Sequence, residues 1–487
     1  MLYLLWSLPA IVVIGLVASG KADVLRAALA GTLVALGVAL LAAPGHFLWA
    51  EASTAILRGA WIGWIVVPYI LGGLLFWQIA SRPGGAAPED EAAPAGAGAR
   101  RRLLFTACFL VGPFAESATG FGVGIIGTMA LVRGVGVQTR YLLAFSLLSQ
   151  TMILWGAMGS GVIVGAAFAG ADATALALHS SLFVAALHVV WLPLFWRLAA
   201  RAGVSAGWRE HASEAAWIAT GLALAIGATA WLGPEIALLA AYGPLIVLRF
   251  LVDERPHRQR LEDATRRILP FAALIGGLVL SRSIRGLREL LMEAGRLAPF
   301  PGAPAWSPLF HAGTWLVAGG IATALARGHG ADLPREMKAA WKTGRLAVLT
   351  IILFSMMAEV LSVSGIAAAL ARGLSAALGP SAVMMTPFLA GTFGAITNSG
   401  NAANGLFMAS QVTLATAAGL NLPAVVALQH ISGLTMSMFS PVRMAIVCSL
   451  AGAPGQERLA YRMMLPFAAA ALMVLFGAAV LIAAAII

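Results

Sequence analysis

Charge is scarce in this sequence: only 10% of its 487 residues are Asp, Glu, Lys or Arg, against roughly 25% in an ordinary soluble domain. A chain so poor in charge cannot cover a water-facing surface, which excludes a soluble globular class. Lysine is scarcer still. Lys21, Lys338 and Lys342 are the only three, so nearly all of the net charge of +11 rests on arginine. Cysteine is almost absent: Cys108 and Cys448 both sit inside apolar runs, and two such residues build neither a disulfide framework nor a metal cluster. No GxxxxGKS/T occurs, which argues against ATP hydrolysis by this chain, and neither HExxH nor a Cys/His spacing marks a metal centre. No cofactor is expected.

Apolar residues fill the space that charge leaves, at 60% of the chain with a mean hydropathy of +0.89. Runs near the 20 or so residues that span a bilayer recur throughout, most plainly at 2–19, 25–43, 60–80, 180–200, 215–232, 235–251 and 465–487. The expected fold class is an all-α polytopic membrane protein with about 12–14 transmembrane or re-entrant segments. The first run follows no positive stretch and precedes no clear cleavage site, so it reads as a retained span and not a signal peptide.

The basic charge lies in short arginine-rich loops, as the positive-inside rule requires, and so it points to a bilayer and not to nucleic acid. Residues 81–102, rich in Pro, Gly and Ala and ending in Arg100, Arg101 and Arg102, read as a flexible cytoplasmic linker. The basic stretches 252–267 and 327–345 fall on the same side, and Gly233-Pro234 marks a turn on the opposite one. The loop 282–296 carries four arginines on that opposite side. It reads as an interfacial helix, because Ile284, Leu287, Leu290 and Leu291 share one helical face. The chain divides into a three-span segment (1–80), the linker (81–102), a first transport region with flanking spans (103–251), middle spans and loops (252–345) and a second transport region (346–487).

Two segments repeat. Phe109-Leu-Val-Gly-Pro-Phe114 and Phe388-Leu-Ala-Gly-Thr-Phe393 share the pattern FLxGxF at an offset of 279 residues (388 − 109). At the same offset Gln150 matches Gln429, and Met129-Ala130 matches Met408-Ala409. Each copy leads into an apolar run broken by small and polar residues, 112–128 and 391–407. Such paired interruptions loosen a helix, and in transporters they point to a midplane binding site between two inverted repeats built from broken helices or hairpins. Close helix packing explains the glycines of these runs, but it leaves Asn398, Asn401, Asn404 and Glu116 without a reason.

Glu116 is the sharpest single residue. A charge at a helix centre is costly, and low dielectric favours the neutral acid, which suits a proton-coupling group; the alternative is a neutral acid bonded to Ser117 or Thr119. Glu359 and His430 are further proton-coupling candidates, each with the plainer reading of a polar group paired to a neighbour. Arg443, after Ser440-Pro441, can grip a carboxylate with its two-pronged guanidinium, or else snorkel or pair with an acid. With Ser117, Thr119, Gly120, Gln150, Thr397, Asn398, Ser399, Asn401, Asn404, Gln429 and Ser440, it completes the expected substrate-binding set.

These residues resemble the lactate permease family. A signature of the form GxFxExxxGFG stands here as Gly112-Pro-Phe114-Ala-Glu116-Ser-Ala-Thr-Gly120-Phe121-Gly122. A GAMG block follows at Gly156-Ala-Met-Gly159 and a late SP block at Ser440-Pro441. The resemblance implies a multi-pass carrier of the bacterial inner membrane that imports lactate, glycolate or a related short carboxylate with protons, not an enzyme. It implies a small organic anion, a proton and the lipid bilayer as partners, and leaves a homodimer open. The chain departs from the family at the site. Thr397-Asn-Ser-Gly-Asn-Ala-Ala-Asn404 lacks an expected aspartate, Ser437 stands for a lysine, and Gln150 and Gln429 each stand for an asparagine. These departures widen the implied substrates to other small carboxylates or sulfonates. The competing readings are a cation/proton antiporter using Glu116 and Glu359, and a membrane-embedded enzyme, for which no nucleophile–base pair is in evidence.

Overall fold

The structure, a computed structural model, describes residues 2–82, 96–120, 122–152 and 155–486. Most of the linker read from the sequence (83–95) lies outside them. Among the described residues ten helices are long and apolar enough to cross a membrane, and the protein is an all-α polytopic membrane protein. The chain runs through α1 (Leu2–Ala18), α2 (Val24–Ala42) and α3 (Trp49–Ala80). Next come α4 (Ala97–Thr106), which passes through a π-helical turn into α5 (Gly112–Thr119), then α6 (Val123–Val135), α7 (Thr139–Leu148), α8 (Ser160–Ala169) and α9 (Ala173–Arg201). The middle holds α10 (Trp208–Leu232), α11 (Pro234–Glu254), α12 (Arg258–Ser283), the short α13 (Arg285–Glu293) and α14 (Ala312–Ala326). The last stretch is α15 (Leu333–Val363), α16 (Ile366–Leu378), α17 (Thr386–Thr397), α18 (Gly400–Ala418), α19 (Leu422–Ser437), α20 (Pro441–Leu450) and α21 (Glu457–Ala483).

Side chains at the boundaries explain where helices start. Asp23, Asp172 and Asn421 each accept the backbone N–H three residues on, at 2.8, 2.8 and 3.2 Å, and so open α2, α9 and α19 as N-caps. Where the sequence suggests an interfacial helix the structure has a helix, α13, which buries none of its residues in the protein.

The two repeats share one plan. A hairpin (α5–α6, α17–α18) is followed by a helix broken in its middle (α7–α8, α19–α20) and a long helix (α9, α21). The packing is exchanged between them: α9 lies on α19 and α21 on α7, while α14 lies on α3 and α2 on α15. The helices preceding each hairpin, α3 and α15, run antiparallel, with Gly59 against Met356, Gly63 against Ile352 and Leu71 against Gly344. They touch backbone to backbone. A Cβ on Gly59 would sit 2.5 Å from the Met356 Cα, and one on Gly63 2.7 Å from the Ile352 Cα. Small residues are what permit that approach in a bilayer, where packing replaces the hydrophobic drive.

The hairpins enter from opposite faces. Arg100 donates to the Val135 carbonyl at 2.8 Å, bringing the end of α6 back beside the start of α4. Arg133 of α6 donates to the Leu450 carbonyl, so α20 ends at this face and the α17–α18 hairpin, one helix earlier, opens toward the other. The first face also gathers Arg101 with Val204, Arg102 with Asp253, and Arg327 with Ile79. The positive-inside rule predicts that this arginine-rich face is the cytoplasmic one. Because Cys108 and Cys448 are both buried, one added cysteine can report on this. Gly286→Cys on α13 is expected to react with an impermeant maleimide outside intact cells, and Ser205→Cys to react only after permeabilisation. The reverse pattern would invert the topology.

Candidate functional site

Both hairpin tips break on a left-handed residue. Gly120 (φ +80°) ends α5, and Asn398 (φ +57°) ends α17. Gly120 is at home in that conformation, whereas asparagine is one of the few other residues to tolerate it. The second break is short. Asn398 and Ser399 form it, while Gly400 and Asn401 already belong to the first turn of α18, because the Ser399 hydroxyl accepts the Ala402 amide at 3.2 Å and caps the helix there.

The breaks meet in one cavity of about 720 Å³. Gly120, Gly122 and Glu116 line it from the first hairpin, Gln150, Gly156 and Ser160 from the first broken helix, Asn398, Ser399 and Asn401 from the second hairpin, and Arg443 from the second broken helix. Residues in the first turns of α8, α18 and α20 all line it. Helix N-termini carry unsatisfied amides and a partial positive charge, and three of them with one guanidinium make a site suited to an anion.

The polar groups are held by one another across the repeats. The Arg443 Nη1 donates to the Gln150 Oε1 at 2.5 Å. Asn401 donates to the Ser160 hydroxyl at 3.4 Å. Within the second repeat, the Ser440 hydroxyl donates to the Asn398 Oδ1 at 2.7 Å while accepting the Arg443 amide, so a single side chain caps α20 and fixes the hairpin tip.

Glu116 is fully buried, and its partners are neither Ser117 nor Thr119. Those two hydroxyls donate back to the Phe114 and Ala115 carbonyls of their own helix. The Glu116 carboxylate instead accepts the Gly122 amide at 3.2 Å and the Gly124 amide at 3.0 Å, capping the start of α6 from across the hairpin.

Other expected residues lie elsewhere. Glu359 sits in the α3–α15 seam, 3.7 Å from Arg58. Asn404 donates both to the Gly161 carbonyl (2.9 Å) and to His430 (2.8 Å), forming a buried link that seats α8 on α18 and α19 behind the cavity wall. Gln429 donates to the Ala403 carbonyl at 3.2 Å. It lies within α19 whereas Gln150 lies past the end of α7, so the 279-residue offset does not make them structural equivalents. The hairpin arm between them explains the slip, since α18 has 19 residues and α6 only 13. Thr397 does line the cavity, with its hydroxyl donating to Phe393.

Among the cavity residues not singled out from sequence are Ser160, Thr151 and the apolar Val184, Leu187 and Trp191 of α9. Ser160 directly follows the GAMG block, whose Gly156, Met158 and Gly159 are all left-handed and turn the chain into α8.

A sequence profile described as L-lactate permease matches residues 280–487, the stretch that carries the second repeat. Similarity to curated relatives runs nearly the full length. The L-lactate permease of Salmonella typhimurium strain LT2 is 25% identical, over 88% of this chain and 86% of its own. That of Escherichia coli K12 is 24% identical, over 85% of this chain and 84% of its own. The chain is similar to L-lactate permeases over most of its length. Those relatives are named permeases, and the ten apolar helices among the described residues fit a multi-pass membrane protein. Gln150 and Arg443, from the two repeats, bond to each other in the cavity.

Proposed function

We propose that this transporter imports a short carboxylate, lactate or a related 2-hydroxy acid, by proton symport. One observation carries the reading: Arg443 and the N-termini of α8, α18 and α20 converge on the cavity where the two repeats break. A carboxylate there gains charge-assisted hydrogen bonds from the guanidinium and a favourable field from the helix ends. The cavity continues past Val17, Asp23 and Leu25 at the α1–α2 turn and past Thr343 and Leu346 of α15, toward the face assigned as cytoplasmic, which corresponds to an inward-facing state of an alternating-access cycle. The names of the relatives supply the substrate class, and buried Glu116 supplies a protonatable group on the same cavity.

The test is uptake of labelled lactate into proteoliposomes. An inside-alkaline pH gradient is expected to drive accumulation, and a protonophore to abolish it. Accumulation that follows a sodium gradient and ignores pH would replace proton with cation coupling, and no uptake of any small carboxylate would remove the proposed substrate class.

A further inference from the structure

We propose that the groove beside the start of α21 binds one anionic phospholipid of the cytoplasmic leaflet. Its phosphate sits between Arg458 and Arg462, and one acyl chain lies along Leu465 and Ala468 down to Phe439. The groove has a volume of about 880 Å³ and shares no lining residue with the cavity between the repeats.

The charge of the groove is of one sign. Arg458 and Arg462 are neighbours on one face of α21, where residues four apart have Cβ atoms about 5–6 Å from each other. Both guanidinium groups can therefore reach a single phosphate. Both are exposed, and among the described residues neither has an ion pair or a hydrogen bond through its side chain. At the same face Arg101, Arg102 and Arg249 each hold an acid. Glu457, the acid next to Arg458 in the chain, does not line the groove, and its carboxylate accepts the Gly455 amide at 3.2 Å. Guanidinium groups with free donors match the oxygens of a phosphate, and basic pockets between helices at the cytoplasmic surface take acidic headgroups.

Beyond the arginines the same helical face turns apolar. Tyr461, Leu465 and Ala468 follow Arg458 at i+3, i+7 and i+10 and line the groove together with Phe439. Tyr461 is 37% and Leu465 65% exposed, so this face is open to an occupant. Its depth matches one leaflet. Arg458 and Ala468 are ten residues apart (468 − 458), about 15 Å of helix. Phe439 lies just before α20, whose 10 residues end at the same face, and these again span about 15 Å. Half of a hydrocarbon core about 30 Å thick is the same length. The groove thus runs from headgroup depth to the midplane. A soluble phosphate makes no use of the apolar part, and a neutral lipid makes none of the arginines.

Native mass spectrometry of the purified, detergent-solubilised full chain reads the occupancy. The probes are dioleoyl phosphatidylglycerol, dioleoyl phosphatidylcholine and glycerol 3-phosphate. One phosphatidylglycerol is expected to stay bound, phosphatidylcholine to bind at least about fivefold more weakly, and glycerol 3-phosphate not to be retained. Arg458→Gln and Arg462→Gln are each expected to weaken phosphatidylglycerol about fivefold. Ala468→Phe, which fills the apolar end and leaves both arginines, is expected to weaken it as well. Arg266→Gln, at an exposed arginine outside the groove, is expected to change nothing, which separates this site from general attraction to a basic surface. Equal retention of phosphatidylcholine, or equal losses in Arg266→Gln and Arg462→Gln, overturns the proposal. Unchanged binding in Ala468→Phe also overturns it, as does tight binding of glycerol 3-phosphate, which would make this a site for a free phosphate.

Discussion

Arg443→Ala is expected to weaken binding of the transported acid by about tenfold to a hundredfold, the equivalent of one charge-assisted hydrogen bond of about 1.5–3 kcal/mol. Arg443→Lys should fall between mutant and wild type. The reason lies in the geometry around the guanidinium. One amino group is committed to the Gln150 Oε1 at 2.5 Å, which orients the plane of the fork and leaves its other donors for a ligand. An ammonium keeps the charge but has no plane to orient and no paired donors to match a carboxylate. Gln150→Ala tests the same point from the other partner: it removes no charge from the cavity, so a loss of affinity there would come from a guanidinium no longer held in place. Concentration dependence of lactate uptake in proteoliposomes measures all three. Unchanged apparent affinity in both Arg443 variants would take Arg443 out of the site and leave the helix N-termini as the only anion-binding element.

How much of this was legible beforehand differs from residue to residue. The hairpin tips were legible, because glycine, serine and asparagine inside an apolar run have few uses other than breaking a helix. The repeat was legible too, since FLxGxF falls in the same place in each hairpin. What pairing adds was not. Glu359 looks in sequence like Glu116, an acid in an apolar stretch, yet one faces Arg58 in a helix seam and the other faces two amides beside the cavity. Only the fold brings Arg58 within reach, from 301 residues earlier in the chain (359 − 58). The same holds for Arg101, whose two bonds of 2.7 and 2.9 Å to the buried Glu214 pin α4, which leads into the first hairpin, to α10. In sequence Arg101 is one of three arginines at the end of a linker. The α9 residues of the cavity were invisible for the opposite reason: Val184, Leu187 and Trp191 carry no polar signal, and any spanning helix has such residues. Gln429 misled because a fixed offset assumes arms of equal length, and α18 is longer than α6.

Glu116→Gln is expected to abolish pH-driven accumulation of the substrate while leaving exchange of internal for external substrate within a few-fold of wild type. As a carboxylate, Glu116 accepts two amides at once, Gly122 on one oxygen and Gly124 on the other. Protonation turns one oxygen into a hydroxyl donor, which cannot accept as the carboxylate oxygen does and meets an N–H that is itself a donor. One of the two amide bonds is then lost, and the start of α6 is released from one side. A proton taken up at this residue therefore changes the hairpin tip that lines the cavity along with Arg443. It also removes the negative charge nearest that arginine, favouring an anionic ligand there. Proton and substrate would thus bind together, the condition for symport. Glutamine reproduces the protonated state permanently, with one acceptor and one donor group, so it should allow the substrate-bound protein to cycle but not to draw on the pH gradient. Glu116→Ala differs in removing both bonds, and is expected to lower thermal stability as well as transport. The measurements are accumulation under an imposed gradient and counterflow without one, in the same proteoliposomes. If Glu116→Gln still accumulates substrate as far as wild type does, Glu116 is a helix cap and the coupling proton binds elsewhere.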